Sequence, residues 1–115
     1  DLYFRYFYDL SEAFAAGHSV SDLTVNAAYS QASSVSNLQQ WDGSIYYVEV
    51  RFEDDVIFPG GQSDHRREVQ FRVSLPTNSD ANVWDSSNDP SWDAGYATTS
   101  ENYGMPAPLI PVRKP

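Results

Sequence analysis

The chain has 115 residues, with seven basic and 16 acidic side chains and a formal charge of −9 at pH 7. That length suits one domain, and so large an acidic excess repels phosphate backbones and anionic headgroups, arguing against nucleic acid and membrane surfaces as partners. Apolar residues make up 41%, including three Trp, eight Tyr and six Phe, enough for one modest core and too many rings for a disordered chain. Cysteine is absent, which excludes disulfides, thiolate ligands and a cysteine nucleophile and leaves a secreted protein admissible. No window carries the charged start and apolar run of a signal peptide, and the first residue is Asp1, so the sequence reads as a piece of something longer.

Apolar and polar residues alternate with period two between Gly, Pro, Asn, Asp and Ser clusters, the pattern of half-buried strands. The first strand is expected over Leu2 to Tyr8. A helical turn follows over Leu10 to Ala16, with Ser11 as cap and Gly17 as terminator. Further strands are expected over Asp22 to Tyr29, Ile45 to Phe52 and Glu68 to Leu75, with short ones at Val56 to Phe58 and Leu109 to Val112. Hairpin-length gaps with no room for a crossover helix favour an all-β fold, an antiparallel sandwich.

Alternation assigns faces. Tyr46, Val48, Val50 and Phe52 point inward and Tyr47, Glu49 and Arg51 outward; Val69, Phe71 and Val73 point inward and Glu68, Gln70 and Arg72 outward. If these two strands share a sheet, its open face holds rings, carboxylates and guanidinium groups together. Sugars suit such a surface, since their C–H faces stack on rings and their hydroxyls pair with charged and amide groups. An ordinary solvated face with cross-strand ion pairs explains the same pattern.

From Asp80 to Glu101 there are five acids and no base. Asp85, Ser87 and Asp89 occupy the first three odd positions of an EF-hand, but Pro90 stands where its turn glycine belongs and Tyr96 where its bidentate glutamate belongs. An irregular calcium site and a set of Asx turns both remain open. Catalysis has little support: His18 and His65 are the only imidazoles, and Ser63, Asp64 and His65 are neighbours on one turn rather than a triad assembled in space. A small sandwich also lacks the deep cleft that holds a sugar between paired carboxylates.

Several stretches together resemble a family 3 carbohydrate-binding module. They are Phe4 to Glu12, Ser21 to Val25, Trp41-Asp42, Tyr46 to Val50, Pro59 to Ser63, Glu68 to Arg72 and Ser87 to Asp89, in matching order and spacing over nearly the whole chain. Asp9-Leu10-Ser11-Glu12 and Pro59-Gly60-Gly61-Gln62-Ser63 most resemble subgroup c, whose members follow the catalytic module of family 9 cellulases. The resemblance implies a jelly-roll sandwich forming a single module over residues 1–115, shortened at both ends. Further strands precede Leu2 in the family, and a closing Leu-Val-Trp-Gly strand is replaced here by Arg113-Lys114-Pro115.

The resemblance further implies a structural calcium held by Asp9, Ser11 and Glu12 from one loop and Asp85, Asn88 and Asp89 from another. It implies a secreted, extracellular, non-catalytic module that binds cellulose or soluble β-glucan chains and guides a chain to a family 9 endoglucanase module, in cis or non-covalently. Asp22, Arg66 and Glu68 match positions that subgroup c members use for this; alternation adds Tyr47, Glu49, Gln70 and Arg72. A Trp-Ser-Asn-Tyr stretch of the family's crystalline-cellulose strip reads Val83-Trp84-Asp85-Ser86 here, and its histidine-bearing loop is replaced by Glu12 to His18, so weak binding to crystalline cellulose is expected. The rival readings are an independent cellulose-targeting or scaffold module and a structural sandwich that binds no sugar.

Overall fold

The computed structural model describes residues 1–28, 30–53, 69–76, 84–92 and 109–114. Its elements in chain order are β1 (Leu2–Asp9), α1 (Ser11–Ala15), a 3-10 turn (Val20–Asp22), β2 (Thr24–Asn26), β3 (Ser34–Val35), β4 (Gln39–Asp42), β5 (Ile45–Phe52), β6 (Arg72–Ser74) and a second 3-10 turn (Ser86–Asn88). All strand pairs are antiparallel, and the protein is an all-β sandwich.

The first sheet is built on β5, which pairs with β1 on one side and with β3 and β4 on the other. The β1–β5 ladder runs in unbroken register from Leu2 opposite Phe52 to Asp9 opposite Ile45. Val48, Val50 and Phe52 are buried, and the residues between them are half-buried, as the alternation requires. β1 carries large side chains on both faces, and all eight of its residues are half-buried. Beneath its end, Leu10 and Ala13 of the helical segment are fully buried, and Phe14 meets Tyr46 edge to face at 5.9 Å. The second sheet pairs β2 with β6, and Tyr6 meets Phe71 edge to face at 6.0 Å across the interior between the sheets.

A two-residue turn joins β4 to β5, with Gly43 at φ +57°, a conformation that favours glycine. One step earlier the β4–β5 register slips between Gln40 and Asp42. This irregularity leaves Trp41 unpaired in the ladder and 60% exposed, as a bulge re-aims a side chain.

Several expectations are corrected. The strand expected over Asp22 to Tyr29 shrinks to Thr24–Asn26, because Asp22 closes the 3-10 turn by accepting the Ser19 N–H at 2.9 Å. Ser11 is the first helical residue and not the cap; the cap position is Leu10, and Asp9 accepts the Ser11 N–H at 2.9 Å. The strand expected over Glu68 to Leu75 is Arg72–Ser74, the length of its partner β2. Leu109 to Val112 forms no strand, but the following Arg113 makes a single bridge to Tyr3. β3 and β4 were not expected at all. The strand expected at Val56 to Phe58 and the Ser63-Asp64-His65 turn lie outside the described residues.

Candidate functional site

Register dictates what stands on the outer face of the first sheet. Tyr3, Arg5 and Phe7 of β1 lie opposite Arg51, Glu49 and Tyr47 of β5, and Gln39 of β4 continues the Tyr47 row. Glu49 sits between two guanidiniums, accepting from Arg5 Nε at 3.0 Å and Arg51 Nε at 2.7 Å. These bonds, that from Arg51 first, hold its carboxyl below the usual glutamate value against the opposing effect of burial. The Arg5 guanidinium lies over the Tyr47 ring at 4.5 Å, and Arg5 and Arg51 each lie 5.4 Å from the Tyr3 ring.

Phe7, Trp41 and Tyr47 form a ring cluster, with Phe7 5.4 Å from Trp41 and 5.6 Å from Tyr47. Phe7 and Tyr47 thus prop the exposed indole of Trp41 from below. Beside it runs an open groove of about 360 Å³, lined by Tyr3, Arg5, Phe7, Trp41, Pro111 and Arg113. Its far wall is held by backbone pairing of Arg113 with Tyr3, at 2.8 and 2.9 Å. An exposed indole with fixed hydrogen-bonding groups alongside can stack a pyranose ring and pair its hydroxyls.

The residues named from the sequence do not share one surface. Tyr47 and Glu49 are on this face. Arg72 is on β6 in the other sheet, and Gln70 precedes it, so the shared face considered for the two strands does not exist. Gln70 and Arg72 instead line a separate hollow of about 330 Å³ with Asn26, Ala28 and Phe71. Asp22 stands in the turn leading into β2, bonded to Ser19. Arg66 and Glu68 lie outside the described residues. Sequence reasoning missed Tyr3, Arg5, Phe7 and Trp41: both faces of β1 are aromatic, so alternation carries no polarity there, and Trp41 depends on a register slip.

The two acidic loops do meet. Asp89 Oδ1 accepts the Asp9 N–H at 2.7 Å, and Glu12 accepts from the Asp85 N–H at 3.2 Å and from Asn88 Nδ2 at 2.9 Å. Ser11 Oγ reaches Glu12 at 3.4 Å. Asp85 also forms an Asx turn, accepting from the Ser87 N–H at 2.9 Å. Asp89 is 4% exposed, and burial, then the neighbouring carboxylates, push its pKa up to about 6. Its Oδ2 is buried and has no hydrogen-bond partner. An orphaned carboxylate oxygen amid hard oxygen donors fits a divalent cation such as calcium in donor chemistry. Among the described residues, however, no three acidic or imidazole side chains converge closely enough to chelate an ion.

The model of a family described as cellulose binding domain matches residues 1–107. The chain belongs to family 3 of the carbohydrate-binding modules. Over 93 residues it is 46% identical to Endoglucanase A of Bacillus pumilus, covering 79% of this chain and 14% of that protein. It is 47% identical over 93 residues to Endoglucanase 4 of Bacillus sp. (strain KSM-522), with the same 79% and 14% coverage. Among solved structures it resembles endoglucanase CelQ from Clostridium thermocellum complexed with cellotetraose, with a TM-score of 0.74 and 30% identity over 98% of this chain and 18% of that one. The module therefore spans only a small part of each relative that it matches.

Proposed function

We propose that this chain is the non-catalytic accessory module of a secreted family 9 endoglucanase, binding cellulose or soluble β-glucan chains and guiding a single chain to the catalytic module. The observation that carries this reading is the exposed Trp41 indole, propped on Phe7 and Tyr47 beside the Arg5–Glu49 pair. Stacking on one indole, with partly solvated hydrogen bonds of about 1 kcal/mol each, holds a chain loosely enough for it to advance. The endoglucanase names of the relatives and the cellotetraose complex of CelQ support the substrate class. Family 9 parentage and extracellular placement rest on the motif resemblance.

Asp22, Arg66 and Glu68, with Gln70 and Arg72, belong to a second part of this proposal, a polar track that a glucan chain follows. Its support is the hollow that Gln70 and Arg72 line. The test places single alanine substitutions at Trp41, Asp22, Arg66 and Glu68 in the two-module enzyme and compares insoluble cellulose with short soluble oligosaccharides. The reading requires loss on the insoluble substrate alone. Equal loss on both indicates damaged folding, and no loss at any position removes the guiding role.

We further propose that calcium clips the two acidic loops together, held by Asp9, Ser11, Glu12, Asp85, Asn88 and Asp89. The orphaned Asp89 oxygen supports this. A bound cation would offset the mutual repulsion of these carboxylates, and its binding energy would add to folding stability.

A further inference from the structure

The groove beside Trp41 has a charge opposite to that of the protein around it. The chain carries −9, yet the described groove lining holds two guanidiniums, Arg5 and Arg113, and no carboxylate. Glu49, which pairs with Arg5, accepts from the Nε of Arg5 and the Nε of Arg51. Among the described residues, the terminal Nη groups of Arg5 make no hydrogen bond and the Arg113 guanidinium has no ion-pair partner. Tyr3 and Tyr47 rings fix the Arg5 plane from the side, and the backbone bridge to Tyr3 fixes where Arg113 leaves the chain.

A planar guanidinium held in place by an aromatic ring and an ion pair is matched to a carboxylate, which it binds in a two-pronged geometry. The hydroxyls of a neutral glucan can accept from these donors but leave the guanidinium charge uncompensated. We propose that the groove selects carboxylated polysaccharide, with a hexuronate ring stacked at Trp41 and its carboxylate on Arg5 and Arg113. This rests on the reading of the Trp41 face as a glucan-contacting surface and names a preferred substrate class for it. An acidic peptide would satisfy the guanidiniums but leaves the exposed indole without a pyranose to stack, so the sugar is the better fit.

The test is calorimetric titration of the whole chain with a β-1,4-linked oligoglucuronate and with a cello-oligosaccharide of equal length. The oligoglucuronate should bind about tenfold more tightly at low ionic strength, and the advantage should shrink at about 0.15 M salt, where exposed charges are screened. Arg113→Ala should remove most of that advantage, read as the ratio of the two affinities, while Lys114→Ala, which changes charge by the same amount outside the groove, should leave the ratio unchanged. Equal affinity for the two oligomers, or an Arg113→Ala variant that keeps the preference, overturns the inference while leaving glucan binding intact. Failure of a folded chain to bind either oligomer overturns this inference and the functional reading together. Displacement of the oligoglucuronate by polyglutamate at equal carboxylate concentration shows recognition of charge alone and also overturns it.

Discussion

Arg5 and Glu49 are direct cross-strand partners in the β1–β5 ladder, and their side chains close a 3.0 Å ion pair over the sheet's outer face. The same carboxylate holds Arg51 at 2.7 Å, so one acid anchors two guanidiniums that in turn lie against Tyr3 and Tyr47. A charged ladder therefore fixes the side chains at this end of the face.

Replacing Glu49 by glutamine tests the ladder. Its folded pKa lies below the ordinary 4.5, so the carboxylate contributes stability above that value and loses it as pH falls through the lower, folded one. The wild-type advantage over Glu49→Gln in chemical denaturation should be about 1 kcal/mol at neutral pH, as expected for charge-assisted bonds at a partly solvated site, and should vanish in acid. A pH-independent difference contradicts the assignment.

Asp89 behaves in the opposite sense. With its folded pKa near 6 against an ordinary 3.8, the calcium-free protein takes up a proton on folding between those values and loses stability as pH rises through that window. Asp89→Asn keeps the oxygen that accepts the Asp9 N–H. Without calcium it should be the more stable form above pH 6, with the difference gone below about pH 4. With calcium the order should reverse, because the variant lacks the ligand charge.

Exhaustive chelation should lower the melting temperature of the wild-type chain, and calcium should restore it. An unchanged melt, with no metal found by elemental analysis, removes the clip.

Much of this was legible in the sequence, because β5 alternates cleanly and its neighbours are set by its register. Val48, Val50 and Phe52 are the buried residues that this alternation requires. β4 was not legible: Gln39, Gln40, Trp41 and Asp42 are all exposed, so no period-two contrast marks them as a strand. Asp22 reads as strand by its neighbours, yet its carboxylate bonds locally to Ser19 and turns the backbone. The meeting of Glu12 with Asn88 joins residues distant in sequence, a contact that no local pattern encodes and that only the family resemblance anticipated.

Microcrystalline cellulose should deplete the isolated chain from solution weakly or not at all. Trp84, which matches part of the family's flat strip, stands edge-on to Tyr8 at 5.9 Å and is half-buried, leaving it unsuited to a planar platform. Strong, saturable depletion instead supports an independent targeting module.

Leu10→Ala removes a fully buried side chain beneath β1 and should cost about 3 kcal/mol in chemical denaturation. Trp41→Ala, at an exposed bulge, should cost under about 1 kcal/mol. The comparison separates residues that hold the fold from those offered to a ligand.

Affinity electrophoresis through a gel containing soluble β-glucan tests the central claim most directly. The wild-type chain should be retarded relative to a glucan-free gel, and Trp41→Ala, with its far-ultraviolet circular dichroism unchanged, should lose about tenfold in affinity, the scale of one lost aromatic stack. A wild-type chain that runs unretarded, or a Trp41→Ala variant retarded as strongly as wild type, contradicts the account.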